Sequence, residues 1–274
     1  GLEGLAHLGD GQALPGRLVA RRGGLQAANE PGKFPLHIRA LHHLALGIGP
    51  LGPELRLLGD QRPLLGLQGL ALGADLDVLV LTGTGGLSGS GNALNNILSG
   101  NNGNDTLDGG AGIDTMAGGD GSDGYYVRDS GDIVSETNAT TSTGGNDTVY
   151  STLAAYTLTA NVENGRILST TAANLSGNSG NNVLYAGAGD NVVDGGTGTD
   201  SDTVSYAYGL AGTTGVTVSL AVNTAQATGG SGSDTLLGIE HLIGSAYADK
   251  LTGNTGANSF SGAAGNDTLD GGAG

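Results

Sequence analysis

Aspartate residues recur at fixed intervals in the second part of the chain, beside glycine-rich segments. Asp105, Asp114 and Asp123 follow one another at intervals of nine residues, and Asp249 and Asp267 are eighteen residues apart. Carboxylate and backbone carbonyl oxygens are hard donors, which suit calcium better than zinc or copper. The regular recurrence favours a lattice of cation ligands over a single catalytic pair of acids.

The repeating unit has nine residues and follows the pattern G-G-x-G-x-D-x-U-x, where U is a large apolar residue. Glycines at positions 1, 2 and 4 allow tight turns with positive φ. Position 6 supplies the oxygen donor, and positions 7 to 9 predict a very short strand whose position 8 side chain points inward. The units form three arrays, which begin with GNALNNILS at 91–99, GNSGNNVLY at 177–185 and GGSGSDTLL at 229–237.

Position 6 supplies the candidate metal ligands. Two extra residues in the second array, near Asp200, move Val204 into the apolar position and disturb the local spacing. The candidate ligands are Asp105, Asp114, Asp123, Asn96, Asp234, Asp249, Asp267, Asn182, Asn191 and Asp200.

The units resemble RTX, or hemolysin-type, calcium-binding repeats over about Leu87–Gly274. The resemblance implies an all-β fold, a parallel β-roll (β-solenoid) with intervening β-strands, in which two units make one turn. It also implies several Ca²⁺ ions between stacked turns. Residues eighteen apart would then stack in pairs: Asp105 with Asp123, Asp249 with Asp267, Asn96 with Asp114, and Asn182 with Asp200.

Turns rich in glycine and aspartate also occur without metal. The stacking of the aspartates decides whether these turns are purely structural or bind calcium. Carboxylates stacked at one strand spacing, about 4.8 Å, repel each other unless a cation lies between them. A regular row of aspartates therefore favours calcium binding.

Composition divides the chain near residue 82. Residues 1–80 carry 7 basic and 7 acidic residues, whereas residues 81–274 carry 3 basic and 19 acidic, so the net charge of −16 lies in the second part. Such a polyanion repels nucleic acid and anionic lipid. The chain has no cysteine and no run of 18 apolar residues, which predicts neither disulfides nor a transmembrane segment.

Residues 1–80 contain all six prolines but no Ser, Thr or Tyr, and no sustained period, which predicts an irregular structure. Two interpretations stay open for this anomalous segment: a loosely structured linker or domain remnant, and a mistranslated stretch joined to a genuine repeat protein. The predicted organisation is 1–82 anomalous segment, 83–127 first β-roll array, 128–174 β-strand spacer, 175–204 second array, 205–228 β-hairpin spacer and 229–274 third array.

The resemblance implies a secreted or cell-surface module that folds on binding extracellular calcium. Its other implied partner is the bacterial type I secretion machinery, and the module would support a larger exported protein. Neither H-E-x-x-H nor G-x-S-x-G occurs, so no enzymatic activity is expected of this chain. The alternatives are an adhesin or ice-binding solenoid, or the C-terminal part of a secreted protease, lipase or toxin.

Overall fold

Strands of two to six residues, separated by glycine-rich turns, form the regular structure. The computed structural model describes residues 70–138, 142–198, 200–210 and 212–274, and before residue 70 only the backbone of four short strands. In chain order the strands are β1 (Leu18–Val19), β2 (Gln26–Ala27), β3 (Ile38–Leu41), β4 (Glu54–Leu57), β5 (Leu70–Ala71), β6 (Val78–Val80), β7 (Ser88–Ser90), β8 (Ile97–Ser99), β9 (Thr106–Asp108), β10 (Thr115–Ala117), β11 (Gly124–Val127), β12 (Ile133–Val134), β13 (Thr148–Ser151), β14 (Ala155–Thr157), β15 (Asn164–Ile167), β16 (Ala173–Ser176), β17 (Val183–Tyr185), β18 (Asn191–Asp194), β19 (Thr203–Ser205), β20 (Thr217–Ser219), β21 (Gln226–Gly229), β22 (Gly232–Leu237), β23 (His241–Ile243), β24 (Lys250–Thr252), β25 (Ser259–Ser261) and β26 (Thr268–Asp270). Within these described parts every regular element is a strand, and no helix long and apolar enough to cross a membrane is present.

The strands coil into a parallel β-solenoid of about ten turns with one continuous face. That face is a ten-stranded sheet in the order β25-β23-β19-β17-β15-β13-β11-β9-β7-β5. The opposite face consists of three sheets, in the orders β12-β10-β8-β6-β4-β3, β14-β16-β18-β22-β21 and β20-β24-β26. The predicted all-β fold with a parallel β-roll is therefore confirmed.

The register shows why nine residues is the structural unit. Thr115 lies opposite Ile97 in one sheet, and Gly124 lies opposite Thr106 in the sheet across the core. Residues eighteen apart therefore stack, while residues nine apart lie on opposite faces. Two units make one turn, because each unit supplies one turn and one strand.

The core is a single layer of inward-facing side chains at position 8 of the repeat. Leu98, Leu107, Met116 and Tyr125 have no exposed surface. Parallel strands place these residues in columns, with Leu107 directly beside Tyr125 in the ten-stranded sheet. The layer is too thin for two bulky side chains at every level: a Cβ on Gly89 would lie 2.8 Å from Leu79 Cδ2. Glycine thus makes room for a leucine from the opposite face.

The segments between the arrays extend the same solenoid. Residues 128–174 contribute β12 to β16, all of which pair in parallel with strands on either face. The hairpin lies slightly later than predicted, since β21 pairs antiparallel with β22 and so crosses the boundary placed at residue 228. Gly229 and Gly232, with φ of 82° and 87°, permit the reversal there.

The solenoid also includes residues assigned to the anomalous segment. The strands β5 and β6 pair in parallel with β7 and β8, and Leu72 and Leu79 are buried in the core. A boundary at residue 82 is therefore too late by at least twelve residues, because the apolar run around Leu79 packs as an ordinary repeat strand although it lacks the glycine signature. The two interpretations of the earlier residues concern positions that lie mostly outside the described parts.

Candidate metal centre

A column of polar side chains runs along one edge of the ten-stranded sheet, where the chain enters each strand. The strand register stacks these residues one turn apart, and we call the column the first ladder. Its members are Asp105, Asp123, Asp147, Glu163, Asn182, Asp202, Glu240 and Asn258.

Each step of the first ladder that leads to a carboxylate uses the same hydrogen bond: a carboxylate oxygen accepts from the backbone N–H of the ladder residue one turn earlier. At Asn182 and Asn258 the side-chain Nδ2 instead donates to the carbonyl oxygens of Glu163 and Glu240. The Asp105 N–H donates to Asp123 Oδ1 at 2.7 Å, the Asp123 N–H to Asp147 Oδ1 at 2.7 Å, and the Asp147 N–H to Glu163 Oε2 at 2.8 Å. The carboxylates are thereby held in line, each one strand spacing from the next.

A second ladder follows the opposite face. Here Asn96 N–H donates to Asp114 Oδ1 at 2.6 Å, and Asp249 N–H donates to Asp267 Oδ1 at 2.9 Å. The second ladder is interrupted where that face changes sheet. Its members are Asn96, Asp114 and Asp132, then Asn191 and Asp234, then Asp249 and Asp267.

Nine of the ten ligands predicted from the sequence lie in the two ladders, and Asp200 does not. The residue stacked on Asn182 is Asp202, whose Oδ1 accepts from the Asn182 N–H at 2.8 Å. The pairing of Asn182 with Asp200 is therefore wrong. Val204 pairs with Leu184 in the core, which fixes the register and shifts the two extra residues into the turn.

The nine-residue spacing did not reveal several ladder residues, because their turns differ in length. A signal existed for Asp147, since Gly145-Asn146-Asp147-Thr148 repeats the G-N-D-T of the first array. Glu163 and Glu240 occur in two similar spacers, and both occupy ladder positions. For Asp202 the signal was the shifted Val204.

The first glycine of the repeat is required by close approach to the ladder. A Cβ on Gly100 would overlap the Gly118 carbonyl oxygen of the neighbouring turn and lie 2.6 Å from Asp105 Oδ2. Equivalent overlaps with the position 6 side chain occur at Gly91 and Gly109. Glycine at position 1 therefore lets the carboxylate and the carbonyl oxygens of adjacent turns converge.

Burial makes the ladders electrostatically costly without a counter-charge. Asp123 and Asp147 are 2% and 1% exposed, and desolvation raises their pKa values to about 6 and about 8. The same cause raises the pKa values of Asp114, Asp202 and Asp234 to about 6. Neighbouring carboxylates add to the effect at Asp123 and Asp147.

The two arginines of the repeat part contact groups other than these carboxylates. Arg128 forms a two-pronged ion pair with half-buried Asp108, at 2.8 and 2.6 Å. Arg166 lies over the ring of Tyr208, 3.9 Å from its centroid. Neither arginine of the described residues therefore supplies a counter-charge to the ladders.

Buried oxygens without a hydrogen-bond donor test whether a cation fits. Asp114 Oδ2, Asp123 Oδ2, Asp77 Oδ1 and Asn191 Oδ1 are buried and accept no hydrogen bond. Three of the four belong to ladder members, and Asp77 immediately precedes β6 as ladder residues precede their strands. Unsatisfied buried oxygens are costly unless a ligand completes them, so the ladders fit a hard divalent cation.

We expect the calcium-free chain to be more structured at pH 5 than at pH 8. The folded-state pKa values of Asp123, Glu136 and Asp147, about 6, 7 and 8, lie above the usual values of about 4, so the folded chain holds more protons in this interval. The resulting stabilisation is complete below pH ~4 and is lost as the pH rises through about 6 to 8.

Circular dichroism in excess chelator between pH 5 and 8 measures this effect, above the isoelectric point of about 4.3. The same acidification should weaken calcium binding, because protons and calcium compete for the same oxygens. A β signal that stays constant or grows with pH in chelator would contradict the expectation.

Comparison with known proteins agrees with this geometry. Three stretches of the chain, residues 90–125, 171–202 and 243–274, match the family model described as RTX calcium-binding nonapeptide repeat (4 copies). A search among curated proteins found no match. The resemblance inferred from the nine-residue pattern is confirmed, and repeats of this family bind calcium ions. Asp147, Glu163 and Glu240 lie between the matched stretches.

Proposed function

Because this chain is an RTX calcium-binding repeat protein over residues 90–125, 171–202 and 243–274, we propose that it is a module that folds on binding extracellular calcium. The observation that carries the proposal is the pair of ladders, with buried carboxylate oxygens that no donor among the described residues completes. Calcium ions between adjacent turns would complete these oxygens and neutralise the repulsion. Binding energy then becomes folding energy, since an unfolded chain holds no such column.

Because folding depends on calcium, it would occur only on the side of a membrane where calcium is plentiful. Where calcium is scarce, as in a bacterial cytosol, the stacked carboxylates disfavour the folded solenoid and the chain stays open. A chain in that state suits export by type I secretion machinery, and folding would follow outside the cell. The module would thereby also support the stability of a larger secreted or surface protein.

A calcium-binding measurement tests the proposal. We expect equilibrium dialysis or calorimetry to show several Ca²⁺ ions per chain, with dissociation constants of about 10⁻⁴ to 10⁻³ M, as in other extracellular calcium modules. Magnesium at the same concentration is the control, and it should bind far more weakly because it demands a smaller octahedral site. Binding of fewer than two calcium ions, or equal binding of magnesium, would overturn the proposal.

The surface does not favour the alternative of an ice-binding solenoid. Such a face needs a regular row of threonines, but Thr106 and Thr115 lie in sheets on opposite sides of the core. Beside Thr106 the column on the ten-stranded sheet continues with Gly124 on one side and Ser88 on the other. The threonines therefore form no regular row, because successive units alternate between faces and other residues interrupt the column on the ten-stranded sheet.

A further inference from the structure

The turn between β12 and β13 departs from the repeat at its first position. Val134 lies opposite Met116, and the Ser135 N–H donates to the Met116 carbonyl oxygen at 2.9 Å. Continuing this register by two residues places Glu136 opposite Gly118, where the repeat carries its first glycine. A carboxylate side chain therefore enters the space that glycine normally leaves open beside the ladder.

Three buried carboxylates meet at this point. Oxygens of Asp123, Glu136 and Asp147 all lie within 4.8 Å of one another, and the residues are 2%, 8% and 1% exposed. The Tyr125 hydroxyl donates to Glu136 Oε1 and accepts from the Gly118 N–H at 2.8 Å, which fixes the glutamate. We call these three carboxylates the interior triad.

One oxygen of the interior triad has no partner. Asp123 Oδ1 accepts from the Asp105 N–H, but Asp123 Oδ2 is buried and accepts no hydrogen bond. A Cβ on Gly118 would overlap both Asp123 Oδ2 and the Tyr125 hydroxyl, so the free oxygen faces the same small volume as the group that holds Glu136. A bare acceptor beside two other buried carboxylates is a suitable ligand for a cation when the carboxyl groups are ionised.

We propose that Asp123, Glu136 and Asp147 form an interior site for one calcium-class cation, which fills at a lower concentration than the other ladder sites. Three carboxylates supply more charge than the two stacked side chains of an ordinary ladder step, and calcium affinity rises with ligand charge and rigidity. Glu136 and Asp147 lie outside the stretches matched by the repeat family, so the nine-residue pattern does not account for this site.

Terbium luminescence tests the interior triad, because Tb³⁺ replaces Ca²⁺ at oxygen sites and is excited by nearby tyrosine. The chain has no Trp, so tyrosine alone provides the excitation. We expect Glu136→Gln to weaken the tightest terbium-binding phase by about tenfold or more, as loss of a site carboxylate should. The matched control is Glu240→Gln, which removes the same charge from the first ladder far from the triad and should leave the tightest phase in place.

The inference would be overturned if Glu136→Gln and Glu240→Gln bound terbium with the same affinity in the tightest phase. If Glu136→Gln does not fold, Tyr125→Phe provides the test. Its terbium emission is divided by the number of bound ions, which ultrafiltration measures. A severalfold loss of emission from the first ion bound places that ion beside Tyr125; unchanged emission places it elsewhere and rejects the site. Loss of the tight phase alone, with calcium-dependent folding intact, separates this inference from the proposed folding function.

Discussion

Removal of calcium at pH 8.5 is expected to abolish most of the β-structure of this chain. Above the raised pKa values of the ladder residues, Asp105, Asp123 and Asp147 place three negative charges in one column at strand spacing. Two unit charges about 4.8 Å apart repel by roughly 1 kcal/mol in water and roughly 3 kcal/mol at an effective dielectric constant of about 20. The two ladders contain many such steps.

The apolar core that opposes this repulsion is thin. It is one layer thick, and the whole chain has two Phe and no Trp. Small apolar cores are commonly supplemented by structural metal ions. Folding should therefore track the calcium concentration.

Far-ultraviolet circular dichroism with excess chelator, followed by return of calcium, measures the loss and its reversal. Limited proteolysis of the same samples provides an independent readout, since a folded solenoid protects its turns. Magnesium added in place of calcium should not restore the signal. A full β signal in excess chelator at pH 8.5 would contradict a metal-dependent fold.

The substitution Gly100→Ala is expected to destabilise the calcium-bound protein by about 3 kcal/mol, at the upper end of the cost of overpacking. The new Cβ would overlap the Gly118 carbonyl oxygen and crowd Asp105 Oδ2. The backbone has little freedom to move away, because the Gly100 N–H donates to the Ala117 carbonyl oxygen at 2.7 Å. The calcium concentration needed for folding should rise as well, since Asp105 is displaced.

Gly85→Ala is the matched control, because a Cβ there would meet no atom within 4 Å and its φ is not positive. Its stability should change by less than about 1 kcal/mol. Urea unfolding at saturating calcium compares the two variants with the parent protein. Equal unfolding midpoints for Gly100→Ala and Gly85→Ala would show that the turns do not approach as closely as the structure indicates.

Much of the fold could be read from the repeat itself. A nine-residue unit with glycines at the turn and one inward apolar residue has few ways to bury that residue, and a stacked solenoid satisfies all units at once. The inward positions of Leu107, Met116 and Tyr125 followed from this pattern. The cation class also followed, because a repeated row of oxygen donors in a chain without Cys favours a hard metal ion.

The ladder positions of Asp147, Asp202 and Glu240 could not be obtained from a fixed spacing. The turns before them differ in length, and backbone pairing, rather than residue counting, determines which side chain stacks on which. Val204 beside Leu184 moves Asp202 into line and leaves Asp200 in the turn. Insertions are absorbed in turns because the core tolerates no shift of its inward residue.

The sequence by itself determined the all-β class, the nine-residue unit, the acidic character and the calcium chemistry, because each is a local property repeated many times. Only the tertiary structure decided that the intervening segments continue one sheet, and that Glu136 meets Asp123 and Asp147. Those contacts join residues 11 to 24 positions apart through strand register. Register depends on packing across the whole turn, which no single repeat encodes.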